Sequence, residues 1–140
     1  ALAAYLESLS NGLPLETSAA RAAPRGAALF RERCASCHVP PALTGPPVTL
    51  EIIGTDPTLG LSADRGTGSY RVPSLHGVGT RGPLLHDGTV ASLDAFFDPS
   101  RPTVAFAERL HGAGAVPGHV FGLDLEPSDR SALLAYLQAL

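Results

Sequence analysis

The sequence predicts a mostly α-helical fold with long loops, and three observations support that. Apolar residues recur at helical spacing near both ends of the chain, before Arg33 and again after Pro127. Between those two stretches fall most of its 15 Gly and 13 Pro, which break regular structure. Directly after the first stretch stands Cys34-Ala35-Ser36-Cys37-His38, which contains the only 2 cysteines of the chain.

That pentapeptide is the organising feature. Two cysteines three apart with a histidine next is the order that attaches c-type haem. On a helical turn Cys34, Cys37 and His38 fall at i, i+3 and i+4, which is one face. Two thiols on that face can join the two vinyl groups of one haem, and the imidazole can reach its iron as proximal ligand. The plainer alternatives are a redox dithiol or half of a zinc site. A tetrahedral zinc site needs two more soft ligands, and the chain has no other cysteine. A thioredoxin-like dithiol belongs in a βαβ pattern, which the sequence does not display.

Composition narrows the class. The 140 residues suit one domain, or one domain with an appendage, and 44% hydrophobic residues argue against global disorder. All ten basic residues are Arg, and a net charge of −3 offers no basic stripe for nucleic acid. No run of 18 apolar residues is present to span a membrane. Ala1 opens directly on helix-like sequence, with no charged start or cleavage site. The expectation is that a targeting segment has been removed or that the chain is a piece of something longer. Haem is attached to such motifs outside the cytoplasm, so the expected location is periplasmic or otherwise extracytoplasmic.

Taken in order, Leu2, Tyr5, Leu6 and Leu9 lie at helical spacing. Ala1 to Leu9 also matches Ala132 to Leu140 at six of nine positions. The last helix of a haem domain thus occurs twice, while the haem motif occurs once. Residues 1–25 are read as the tail of a preceding domain, or a helix, plus a linker over Ser10 to Pro24. Residues 26–140 are read as the haem domain. Gly26 to Arg33 is a short helix whose glycine lets another helix cross closely. Val39 to Gly68 is loop, since Pro40, Pro41, Pro46 and Pro47 forbid a continuing helix. A carbonyl in that loop can accept the His38 Nδ1–H and fix its tautomer. Glu51 to Thr55 reads as a brief strand or turn. His86-Asp87-Gly88 suggests a tight turn held by polar contacts, and Ser92 to Phe97 a short helix capped by Thr89 or Ser92. Arg71 and Arg81 are candidates for the haem propionates, because Arg pairs well with carboxylates. Arg101 to Leu125 is mostly loop. The last helix starts near Pro127, with Ser128 and Asp129 at its N-terminus and Leu133, Leu137 and Leu140 on one face.

An iron held by His38 has one more axial position. Met is the usual partner in electron transfer, and the chain has none. The candidates are His76, His86, His111 and His119, with Tyr70 an outsider and an open or water-bound site the alternative. The segment context favours His119, which follows Pro117-Gly118 in a loop able to turn sharply over a flat cofactor. Phe121 can pack on the ring edge.

Gly26 to Phe30 before the haem motif, with Leu133 to Leu137 in a final helix, resembles a class I cytochrome c. Tyr70-Arg71-Val72-Pro73-Ser74-Leu75 followed by Leu85-His86-Asp87-Gly88-Thr89 resembles the C-terminal haem domain of the dihaem cytochrome c peroxidase superfamily. Gly118-His119-Val120-Phe121-Gly122-Leu123 is similar to a segment of the dihaem rubber oxygenases, whose matching histidine ligates the C-terminal haem. The resemblance spans roughly 26–140. It implies a class I cytochrome c-like fold, one covalent haem c, and bis-histidine ligation by His38 and His119. It further implies electron transfer to a redox partner protein or an adjacent haem domain. The alternative is a peroxidase- or oxygenase-like enzyme with a labile distal site, for which His86 is the only plausible acid–base group.

Overall fold

Helices α3 and α6 form the frame on which the rest is hung. The computed structural model describes residues 2–8, 16–102 and 117–140. Among them are six α-helices: α1 (Leu2–Ser8), α2 (Glu16–Ala22), α3 (Pro24–Arg33), α4 (Leu50–Ile53), α5 (Leu93–Phe96) and α6 (Pro127–Gln138). A 3₁₀ turn spans Val78–Thr80, and a two-stranded antiparallel sheet pairs β1 (Val48–Thr49) with β2 (Ser69–Tyr70). The chain is thus mostly helical with a small sheet, as its end-loaded helical pattern foretold.

The crossing of α3 over α6 depends on one missing side chain. A Cβ built on Gly26 would overlap the Ala132 carbonyl oxygen and stand 2.7 Å from the Tyr136 Cβ. Four residues on, Phe30 meets the Tyr136 ring at 5.2 Å between centroids, and neither residue exceeds 1% exposure. Leu133, Leu137 and Leu140 are buried on the same side, the face expected from their spacing. Pro24 and Pro127 each sit in a first turn, where a missing N–H costs nothing. At Gly26→Ala, better helix propensity contributes about 1 kcal/mol, while overpacking costs about 1–3 kcal/mol. An overlap with backbone belongs at the costly end, so thermal denaturation of Gly26→Ala should show a lower midpoint than the parent.

The stretch read as a linker contains α2, and Ala19 within it is 1% exposed and part of the core. Short Ala-rich helices carry little periodic signal, and α2 owes its place to packing on α3 and α6. Arg25 adds a two-pronged pair with Asp129 at 2.8 and 2.6 Å. Residues just before the Gly26 boundary therefore pack against α3 and α6 beyond it. Helix α1 differs from its sequence twin: Leu2 and Tyr5 are 70% and 60% exposed, against 0% and 1% for Leu133 and Tyr136.

In the loops, residues 51–53, read as strand or turn, belong to helix α4, which closes on Gly54 at φ 65°. Ser92 caps α5 by accepting from the Ala95 N–H at 3.2 Å. Thr89 instead donates its hydroxyl to Asp87 at 2.8 Å, holding the turn foreseen at 86–88. A bridge between Leu84 and Val90 closes that turn.

Candidate functional site

Where α3 ends, the chain makes one more helical turn. The amides of Cys37 and His38 both donate to the Cys34 carbonyl, at 3.1 and 2.9 Å. The three residues thus occupy the single turn that their spacing requires. All three line one cavity of about 780 Å³, within the range of about 300–1,000 Å³ that cofactors and ligands fill. Core residues form its inner wall: Phe30 from α3, Leu93 and Phe96 from α5, and Leu137 from α6.

His38 is 7% exposed, and its Nδ1 lies 3.2 Å from the Leu43 carbonyl oxygen in the proline-rich loop. That is the contact expected to fix the tautomer and leave Nε2 as the donor atom. Leu43 adopts φ 52° to present that carbonyl. Burial pushes the imidazole below its ordinary pKa, against the pull of the Leu43 and Pro73 carbonyls.

His119 arrives at the cavity from 85 residues further along the chain than Cys34 (119 − 34). Its ring centre is 6.3 Å from that of His38. A first-row metal binds imidazole nitrogen at about 2 Å, and that nitrogen stands about 1 Å from its ring centre, so two trans imidazoles on one metal have centres about 6 Å apart. The observed separation therefore fits one ion held between the two rings. The His119 ring is gripped edge-on by Phe96 at 4.9 Å and Phe121 at 5.3 Å. Its Nδ1 is sealed from solvent with no partner at hydrogen-bonding geometry. Burial lowers its pKa to about 4, against an upward pull from its own backbone and with smaller downward contributions from His38 and Arg101. Both imidazoles are neutral at pH 7, the form that has a lone pair to give.

The His119 backbone is equally constrained. It has φ 47°, uncommon for a residue with a Cβ. Its N–H donates to the Ile53 carbonyl at 2.8 Å. Gly118, expected to let the backbone close on a flat cofactor, serves a different approach. A Cβ there would lie 2.6 Å from the Gly54 carbonyl carbon. The glycine is required so that the loop can pack on the end of α4.

Arg71 and Arg81 both line the cavity, and so does Arg33. No Asp or Glu lines it among the described residues, although the chain as a whole is acidic. Arg33 is paired with Asp124 at 3.0 Å, so Arg71 and Arg81 give that rim its cationic character, which suits a ligand with carboxylates. Arg81 also donates to the Ser74 carbonyl. Of the other ligand candidates, His76 turns Nε2 to the Pro41 carbonyl at 2.9 Å. His86 lines the cavity and stacks on Tyr70 at 4.4 Å between centroids. The Tyr70 hydroxyl donates to the Asp56 carbonyl at 3.1 Å. His111 lies outside the described residues.

The thiols also bear on the alternatives. Burial, with help from Cys37, raises Cys34 to about 11, so it is a protonated thiol at neutral pH. A reactive redox thiol is favoured by a depressed pKa, and Cys34 is shifted the other way. Among the described residues no group of three or more His, Cys, Asp or Glu is gathered for an all-protein metal site. Nor does any described helix have the length and apolar character to cross a membrane.

Two residues that sequence reasoning missed complete the site, Phe96 and Arg101. In the sequence Phe96 stands out only as part of a short helix. Arg101 is 4% exposed although it sits in a proline-flanked turn where solvent is the default. No protein-family model, curated protein or solved structure matches the chain.

Proposed function

We propose that this chain is an electron-transfer domain with one covalent haem c and a class I cytochrome c-like fold. The observation that carries the reading is the pair His38 and His119, 6.3 Å apart across a cavity that Cys34 and Cys37 also line. The haem iron supplies a one-electron couple, Fe(III)/Fe(II). Every other part of the function falls to the chain. Cys34 and Cys37 would hold the group covalently, each S–H added across a vinyl C=C with sulfur on one carbon and hydrogen on the other. His38 and His119 would both bind its iron, so no small molecule need bind for an electron to pass. Neutral imidazoles on both sides, with no Met, favour a lower potential than His/Met ligation gives. Arg71 and Arg81 would hold the propionates, and the aromatic and aliphatic wall would limit water at the iron.

This reading locates the chain outside the cytoplasm. Its electron partner is a redox protein or an adjacent haem domain, and the exposed Leu2 and Tyr5 of α1 support a neighbour on that side. Phe121, 37% exposed beside His119, marks where the ligand comes nearest the surface. The peroxidase- or oxygenase-like alternative needs an open distal position, and His119 stands where that opening would be.

The test of the cofactor assignment is denaturing gel electrophoresis followed by haem staining. Colour should stay on the protein band. Colour extracted into acidic acetone would refute covalent attachment.

A further inference from the structure

Arg101 is a buried cation that the electron-transfer reading does not require. It is 4% exposed, and its guanidinium reaches three backbone carbonyls in three directions. Nε donates to Phe96 at 2.7 Å, one terminal nitrogen to Gly118 at 2.9 Å, and the other to His119 at 2.6 Å. Its carbon lies 4.6 Å over the Phe96 ring, the ring whose neighbour at 4.9 Å is His119. The fork thus ties the peptide before His119, the peptide after it and the aromatic wall against it into one unit.

We propose that Arg101 is the positioning residue for His119, and that its rigid fork keeps the His119 ring facing His38 when iron is bound. The inference rests on the ligation proposed above. The physical grounds are local. His119 sits at φ 47°, a backbone state that a residue with a Cβ keeps only where its surroundings enforce it. The Gly118 preceding it has no side chain with which to resist rotation. A hydrogen bond donated to the Ile53 carbonyl on one side and one accepted from Arg101 on the other supply the enforcement. Lysine cannot replace this arrangement, because an ammonium is a point donor and lacks the planar fork that spans separate carbonyls.

In the haem-loaded protein, Arg101→Gln and Arg101→Lys should retain covalent haem yet hold His119 loosely. Carbon monoxide should then convert the reduced variants at least about tenfold faster than any conversion of the parent over the same time, since a tenfold shift needs only about 1.4 kcal/mol of lost positioning. Because Arg101 acts through His119, the effect should vanish in a His119→Ala background. There Arg101→Gln should leave carbon monoxide binding unchanged, a non-additivity that general loosening of the fold would not produce.

The experiment is carbon monoxide binding to reduced parent, Arg101→Gln, Arg101→Lys, His119→Ala and the double variant. If Arg101→Gln yields no folded holoprotein, Arg101→Lys carries the comparison. A parent already high-spin and open to carbon monoxide would refute the ligation itself. A parent that excludes carbon monoxide, with Arg101 variants that exclude it equally, would overturn the role of Arg101 alone. So would equal, additive effects with and without His119.

Discussion

His119→Ala is expected to convert a low-spin, six-coordinate haem into a high-spin or water-ligated one. The side chain is the sole imidazole found opposite His38 among the described residues, and its ring is fixed there by Phe96 and Phe121. Truncation leaves a pocket of imidazole size beside the iron, lined by aromatic edges. Added imidazole should enter it and restore the low-spin spectrum. Carbon monoxide should bind the reduced variant and not the parent. The fold should tolerate the change well, because the loop is held through its backbone to Ile53 and Arg101. A variant that remains low-spin, with His86→Ala turning high-spin in its place, would move the axial assignment to His86.

The double substitution Cys34→Ala, Cys37→Ala is expected to have the larger effect on stability. The cavity of about 780 Å³ lies against α3, α5 and α6, so whatever fills it packs on core side chains. Without the cofactor, water entering from the open side would wet Phe30, Leu93, Phe96 and Leu137, and the apolar contacts that hold these elements together would be lost. The chain should therefore lose its cooperative thermal transition along with its covalent colour. A native-like transition in the colourless double variant would show that the protein packs without the cofactor.

Much of this was legible from residues. The α3–α6 pair followed from helical spacing, and the need for a close crossing was visible in Gly26. One helical turn through Cys34 and His38 followed from their spacing, and a carbonyl for His38 from the prolines that end the helix. The Asp87 turn and the Ser92 cap are local chemistry and read locally. What did not read was set by distant contacts. Helix α2 is short and Ala-rich, and only the burial of Ala19 reveals why it forms. Residues 51–53 are helical although the β-branched Ile52 and Ile53 favour a strand, a local preference overridden by the Gly54 cap and the turn around it. Gly118 does matter, but for a neighbour that the sequence does not suggest, since its missing Cβ makes room for Gly54. Arg101 gave no periodic or motif signal, because its partners are carbonyls, which every sequence has everywhere.

The most direct test of the central claim is one pair of spectra: the oxidised protein alone, and the reduced protein before and after carbon monoxide. A covalent haem held by His38 and His119 gives a low-spin oxidised spectrum, and its reduced bands do not move when the gas is added. A high-spin oxidised spectrum, or a reduced spectrum converted by carbon monoxide, would contradict bis-histidine ligation and with it the electron-transfer function.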